Sequence, residues 1–130
     1  NFFPEDRRDQ LLMDLSLNLR SLVSQRLLPR EAGKGRIAAV EVMLNSPLIA
    51  DLIFKGAVGE IKEIMKKSRE LGMQTFDQAL FDLYEGNYVT YEDALRNADS
   101  LNDLRLQIKL HSQRARNQDL SAGTEHFQIV

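Results

Sequence analysis

Cysteine is absent from the 130 residues, which excludes disulfides, thiolate metal sites and a cysteine nucleophile. A chain without disulfides fits a reducing compartment. Histidine is scarce. His111 and His126 stand near the end of the chain at no spacing that suits a metal, and they read as solvated side chains. Charge of one sign is also lacking: 17 Lys and Arg face 19 Asp and Glu, for a net charge of −2 and a pI near 5.7. That balance supplies no general attraction to nucleic acid or to an anionic membrane. No apolar run approaches the roughly 20 residues needed to span a bilayer, and no signal peptide is visible. The chain opens at Asn1 with "NFFPEDRR", which reads like the middle of a longer protein.

What is present is ordinary for a soluble globular domain: 43% hydrophobic and 28% charged residues. A chain of this size buries roughly two-thirds of its unfolded surface, enough for a real core. Pro4, Glu5 and Asp6 suit the start of a helix, and Leu11, Leu15, Leu19 and Leu22 recur at helical spacing. The pattern predicts one amphipathic helix from about Glu5 to Ser24, its leucines turned to the core. Leu27 and Leu28 then run into Pro29, and a polar glycine-bearing turn leads to the Val- and Ile-rich stretch Ile37–Leu44. This is a β-hairpin with a loose loop.

Beyond the hairpin the sequence reads as helices. Ser46 caps and Pro47 starts "PLIADLIFKG", which Gly56 ends, with Leu48, Ile49, Leu52 and Ile53 able to be buried together. Val58, Ile61, Met65 and Ser68 mark a face of the next helix, closed by Gly72. Thr75 and Gln78 form a capping box before the stripe Phe76, Ala79, Leu80 and Leu83. Gly86-Asn87 is a turn. Thr90 and Asp93 open a short helix, and Asp99 or Ser100 opens the last one, with Leu101, Leu104 and Ile108 inward. From about Asn117 the tail shows no periodicity and is expected to be disordered.

Chemistry is harder to find. "GKGR" at Gly33–Arg36 starts like a phosphate-binding loop, but G-x-x-x-x-G-K-[ST] needs its lysine and hydroxyl after the last glycine, where this chain has Arg36 and Ile37. Gly33 and Gly35 therefore read as turn residues. Glu41 alternates with Val40 and Val42, which places it on the water side of a hairpin, whereas burial would mark it as a functional candidate. Lys62, Lys66, Lys67 and Arg69 share a helix with Glu60, Glu63 and Glu70 and read as surface pairs. Arg105, Lys109, Arg114 and Arg116 suit the negative end of a helix, with an anion site as the alternative. In Leu48–Lys55, Phe54 falls at the rim of the apolar stripe, where an aromatic can serve in docking. From the residues alone, the fold is mainly α with one β-hairpin, and no self-contained catalytic site is evident.

Together these stretches resemble a known family. "RLLPREAGKGRIAAVEVMLNSPLIADLIFKG", then "LGMQTFDQALFDLYEGNYVTYEDALRNA", follow the order of the C-terminal part of the secretion-type hexameric ATPases. More narrowly, the chain resembles the type IV pilus retraction motors of twitching motility, the PilT/PilU type, and its "MQTFDQALFDLYEGNYVTYEDALRNADS" and "NDLRLQIK" are nearer the PilU branch.

That resemblance implies the end of a RecA-like core in residues 1–45, a C-terminal helical subdomain in 46–116 and a disordered tail in 117–130. It implies that Walker A, Walker B and the other ATP-site motifs precede Asn1. This segment would then hold no cofactor and be inactive alone, while ATP and Mg serve the parent protein. It implies other subunits of a homo-hexamer, the pilus inner-membrane machinery and a PilT-type paralogue as partners, no nucleic acid, and a cytoplasmic place at the bacterial inner membrane. The family's short retraction motif, A-I-R-N-L-I-R-E, falls on Leu48, Ile49, Ala50, Asp51, Leu52, Ile53, Phe54 and Lys55 as the coupling or partner motif. Of these, Ile49, Leu52 and Ile53 keep the family residue. The rival reading is an independent helical adaptor that binds a protein through Leu48–Phe54.

Overall fold

The computed structural model describes residues 5–129. In order they form α1 (Glu5–Asn18), β1 (Ser21–Pro29), β2 (Arg36–Leu44), α2 (Pro47–Lys55), α3 (Val58–Lys66), a 3₁₀ turn (Arg69–Leu71), α4 (Phe76–Glu85), α5 (Tyr91–Arg96), α6 (Leu101–His111) and α7 (Gln113–Ile129). The strands pair as the one two-stranded sheet among the described residues. The mainly helical architecture with a single hairpin is thus the one expected. Residues group into two compact units: one takes in the chain up to Gln25 with Val40–Thr75, the other Arg26–Ala39 with everything from Phe76 onward. Each strand of the hairpin therefore contributes to both.

The loop of the hairpin closes where Arg30 N–H donates to the Gly35 carbonyl at 3.2 Å. Gly33 (φ 85°) and Gly35 (φ 95°) both take the left-handed backbone that side chains disfavour, so the glycines do serve the turn. The first helix is shorter than its leucine repeat suggested, ending at Asn18, and Ser21–Gln25 is strand. The cause lies 25 or more residues away. The Asn45 side-chain amide donates to the carbonyls of Ser16 (3.2 Å) and Leu19 (2.6 Å), and Asn45 N–H donates to the Arg20 carbonyl. These contacts satisfy carbonyls that a helix end leaves without partners. The helical phase is corrected too: Leu12, Ser16 and Leu19 face inward, whereas Leu11 and Leu15 are more than a third exposed and Leu22 is half exposed.

In the first unit, Met43, Ile49, Leu52, Ile53, Ile61, Met65 and Met73 form the core. α2 has the ends its sequence promised. The Ser46 hydroxyl accepts from Ile49 N–H, and Gly56 (φ 70°) closes the helix with its N–H on the Ile53 carbonyl. α1 packs over that end, and a Cβ at Gly56 would stand 3.4 Å from the Arg8 guanidinium. Leu48 departs from expectation. It is 52% exposed, because the α2 stripe centres on Ile49, Leu52 and Ile53.

In the second unit, Leu28 and Ala39 of the hairpin join Phe76, Leu80, Tyr84, Val89, Leu104 and Ile108 in one core. Thr90 accepts from Asp93 N–H and Ser100 from Asp103 N–H, so α5 and α6 begin at the residues expected. Asp77 of α4 accepts from the N–H groups of Asp99 and Ser100, and so fixes the start of α6. Arg26 spans the same junction: it donates to the Asn97 carbonyl and the Asp99 carboxylate, both at 2.6 Å, over the Phe76 ring. The residues from Asn117, expected to lack regular structure, continue α7 as helix to Ile129. The start of that helix is held by contacts at its first turn described below.

Ile49 is fully buried and Phe54 is 48% exposed on the same helix. Ile49→Ala is expected to cost about 2–5 kcal/mol, and Phe54→Ala no more than about 0.5 kcal/mol. Chemical denaturation of the two variants checks the contrast.

Candidate functional site

The stretch Leu48–Lys55 is one face of a helix and its reverse. Ile49, Leu52 and Ile53, the three positions that match the family motif, point into the first core. Leu48, Asp51, Phe54 and Lys55 point out, and Ala50 is half-buried. The Lys55 ammonium lies 2.9 Å from the Asp51 carboxylate, one turn back. That hydrogen bond, followed by the carboxylate's charge, holds the Lys55 pKa above the ordinary lysine value. The pair is exposed and adds little to stability. What α2 offers outward is a small amphipathic rim: Leu48 and Phe54, each about half exposed, with one internally balanced ion pair between them.

Glu41 overturns its expected placement. It is only 9% exposed, on the side of β2 that carries Ala39 and Met43 into the cores. Lys62 of α3 donates to both of its carboxylate oxygens, at 2.7 and 2.9 Å. Lys62 thereby leaves the surface cluster in which the sequence placed it. Lys66 keeps an intrahelical partner, Glu63 at 3.2 Å, and Arg69 donates to Gln74. Gln74 in turn donates to the Val40 carbonyl, and its backbone makes a short antiparallel bridge to Val42. The buried carboxylate thus ties β2 to α3.

A second polar cluster, unforeseen from the sequence, surrounds Arg114 in the other unit. The guanidinium donates to the Tyr84 and Val89 carbonyls at 2.8 and 2.9 Å and to both oxygens of Glu31 at 2.5 and 2.7 Å. It lies over the Tyr84 ring, 4.4 Å from the centroid. Burial is the main cause that raises the Tyr84 phenol pKa, with the Arg114 charge opposing it. An anion site at Arg114 is therefore excluded by occupancy, since this chain's own carboxylate and carbonyls fill it. Arg116 donates to the Leu110 carbonyl, and Arg105 and Lys109 stand exposed on α6.

Next to it, Glu85, the last residue of α4, closes the start of α7. It accepts from the Ser112 hydroxyl (2.6 Å) and from the N–H groups of Gln113 (2.8 Å) and Arg114 (3.4 Å). Burial alone would push this carboxyl pKa up, but the three donors and the Arg114 charge outweigh it and bring it below 4.5. No local signal marks this cluster, because Glu31 and Arg114 are 83 positions apart. His111 is exposed at the end of α6, and the side chain of His126 lies outside the described residues. Among the described residues no group of three or more His, Cys, Asp or Glu could hold a metal, and no helix is long and apolar enough to cross a membrane.

Two expectations follow. Lys62→Met takes the ammonium away from a carboxylate that is 12% exposed, whereas Glu41→Gln leaves a lysine that is 34% exposed and within reach of water. Lys62→Met should cost the more, about 1–3 kcal/mol by urea denaturation; equal costs would mean that Glu41 is not desolvated. Glu85 has a folded pKa below its unfolded one, so its contribution is present above about pH 4.5 and is lost as pH falls through the lower, folded value. Helicity near the C-terminus should decline as pH falls below about 4.5. In Glu85→Gln that decline should flatten, as read by circular dichroism.

Comparison with known proteins gives this geometry a relative. No family model matches the chain. It is 62% identical over 113 residues to the Type IV pilus ATPase PilU of Pseudomonas aeruginosa, a match covering 87% of this chain and 30% of that protein. To the Type IV pilus retractation ATPase PilT of the same organism it is 33% identical over 96 residues, 74% of this chain and 28% of that one. Among solved structures it superposes on the pilus retraction motor PilT with bound ADP at a TM-score of 0.68 and 30% identity, over 80% of this chain and 28% of that chain. The chain spans about 30% of the length of these curated relatives. With its sequence shared across most of its length and its fold shared with PilT, the chain belongs to the PilT/PilU family of pilus ATPases, whose C-terminal part it matches.

Proposed function

We propose that this chain is the C-terminal segment of a hexameric ATPase that powers type IV pilus retraction in twitching motility, and that it couples nucleotide state to motion of subunits or of the pilus machinery. The observation that carries this reading is the 62% identity to PilU over 87% of the chain. In the parent, residues 1–45 would complete the ATPase core and residues from 46 onward would form the helical subdomain that conveys the movement. Other subunits of a homo-hexamer, the inner-membrane pilus machinery and a PilT-type paralogue are the proposed partners, at the cytoplasmic side of that membrane.

ATP and Mg belong to the parent's core in this reading. The glycines at 33 and 35 shape a turn, and among the described residues no group of three or more His, Cys, Asp or Glu could hold a metal. What this segment contributes is a lever whose buried side and outward side have separate tasks. Ile49, Leu52 and Ile53 attach α2 to its unit, and the outward residues Leu48, Asp51, Phe54 and Lys55 are placed to meet a partner. Substituting the buried three would unfold the lever, so they cannot report on coupling.

The informative change is Leu48→Ser with Phe54→Ser in the full-length parent. Twitching should fall severely, while thermal stability and ATP turnover stay near wild type. Normal twitching in a folded double variant would remove α2 from the coupling path.

A further inference from the structure

We propose that the first turn of α7 is a latch on the tip of the β1–β2 hairpin: Arg114 fastens Glu31, so release of α7 and loosening of residues 30–36 are one event. The tip has few other moorings. All of residues 30–36 are exposed, and a Cβ at Gly33 or Gly35 would meet nothing within 4 Å. Outside the pairing of the strands and its own closure through Arg30 N–H, the polar contacts of the tip among the described residues are those of Glu31. The Glu31 N–H donates to the Tyr88 carbonyl at 2.8 Å, and both oxygens of its carboxylate accept from one prong of Arg114, Nη2.

The other end of that fork is equally dependent on one small cluster. Only Ser112, which is fully buried, stands between the end of α6 at His111 and the start of α7 at Gln113. Glu85 accepts from the Ser112 hydroxyl and from two of the first N–H groups of α7, and the Ser112 oxygen accepts from Ala115 N–H at 3.0 Å. These bonds replace the partners a helix start lacks, so they set where the helix begins and how its first turn faces. Arg114 is in that turn. Its guanidinium reaches Glu31 only from this facing, because the same group is also committed to two carbonyls and to the Tyr84 ring. An arginine fork is directional, and rotating the turn breaks all of its bonds together.

The latch also sets the charge of the tip. While Arg114 holds Glu31, the cations Arg30, Lys34 and Arg36 have no acidic partner among the described residues. Once released, the Glu31 carboxylate, next in sequence to Arg30, is free to neutralise one of them. The docked helix thus keeps the tip at its most positive.

A merely structural arginine would stabilise both segments without linking them; a latch makes their openings reciprocal. Amide hydrogen exchange on the full chain separates the two. Glu85→Gln, which touches nothing in the tip, should speed exchange of the Glu31 amide about fivefold or more. Glu31→Gln should do the same to the Arg116 amide, which donates to the Ser112 carbonyl. The amides of Leu80 and Leu104 in the core should keep their wild-type rates in both. If Glu85→Gln fails to fold, Arg114→Lys keeps the charge but loses the fork, and should free the Glu31 amide to the same degree. A Glu31 amide that exchanges at the wild-type rate in the folded variant, or core amides that accelerate equally, would overturn the latch.

Discussion

The register of the hairpin is the constraint on which the rest depends. Ala39, Glu41 and Met43 lie on one side of β2, and each is committed: Ala39 to the second core, Met43 to the first, Glu41 to Lys62. A slip of one residue would turn all three outward and put their neighbours in their places. Both compact units draw on the same pair of strands, so neither can be assembled with the strands out of step. The loop glycines matter for that reason. Their left-handed backbone sets the length of the turn, and the length of the turn sets the pairing.

The buried ion pair adds direction to the constraint. Hydrophobic side chains at Ala39 and Met43 favour burial of that side but do not specify a partner. A carboxylate that must meet an ammonium does: Glu41 selects the one approach of α3 that brings Lys62 to it. The desolvation cost of such a pair can cancel its attraction, so it contributes more to uniqueness than to stability in this setting. α2, the neighbour of α3 in that core, inherits a defined orientation and shows Leu48 and Phe54 outward rather than sideways.

What the sequence revealed was whatever depends on near neighbours. Ser46, Thr90 and Ser100 cap the helices they precede, since a cap bonds three residues ahead. The hairpin and its glycine turn were legible from composition and alternation. Distant partners were not. The helical repeat of α1 continues through Leu22, and only Asn45, which takes the terminal carbonyls, explains why the helix stops before it. For Glu41 the alternation was read correctly and the side wrongly, because parity does not say which face the core will cover. Arg114 was recognisable only as a cation near a helix end, and its carboxylate partner is most of the chain away. In α2, spacing identified the apolar stripe but set its edge one residue too wide, at Leu48.

The first core has another property. Three of the chain's four methionines, Met43, Met65 and Met73, lie in it, whereas the second core is built from leucines, isoleucine and aromatic rings. Thioether side chains are unbranched and polarizable, so they refill space after a shift that would leave a void among stiffer neighbours. They are also the groups that peroxide converts to polar sulfoxides. Without a cysteine anywhere to react first, oxidation of thioethers in the interior would concentrate under α2, since the second core holds no methionine.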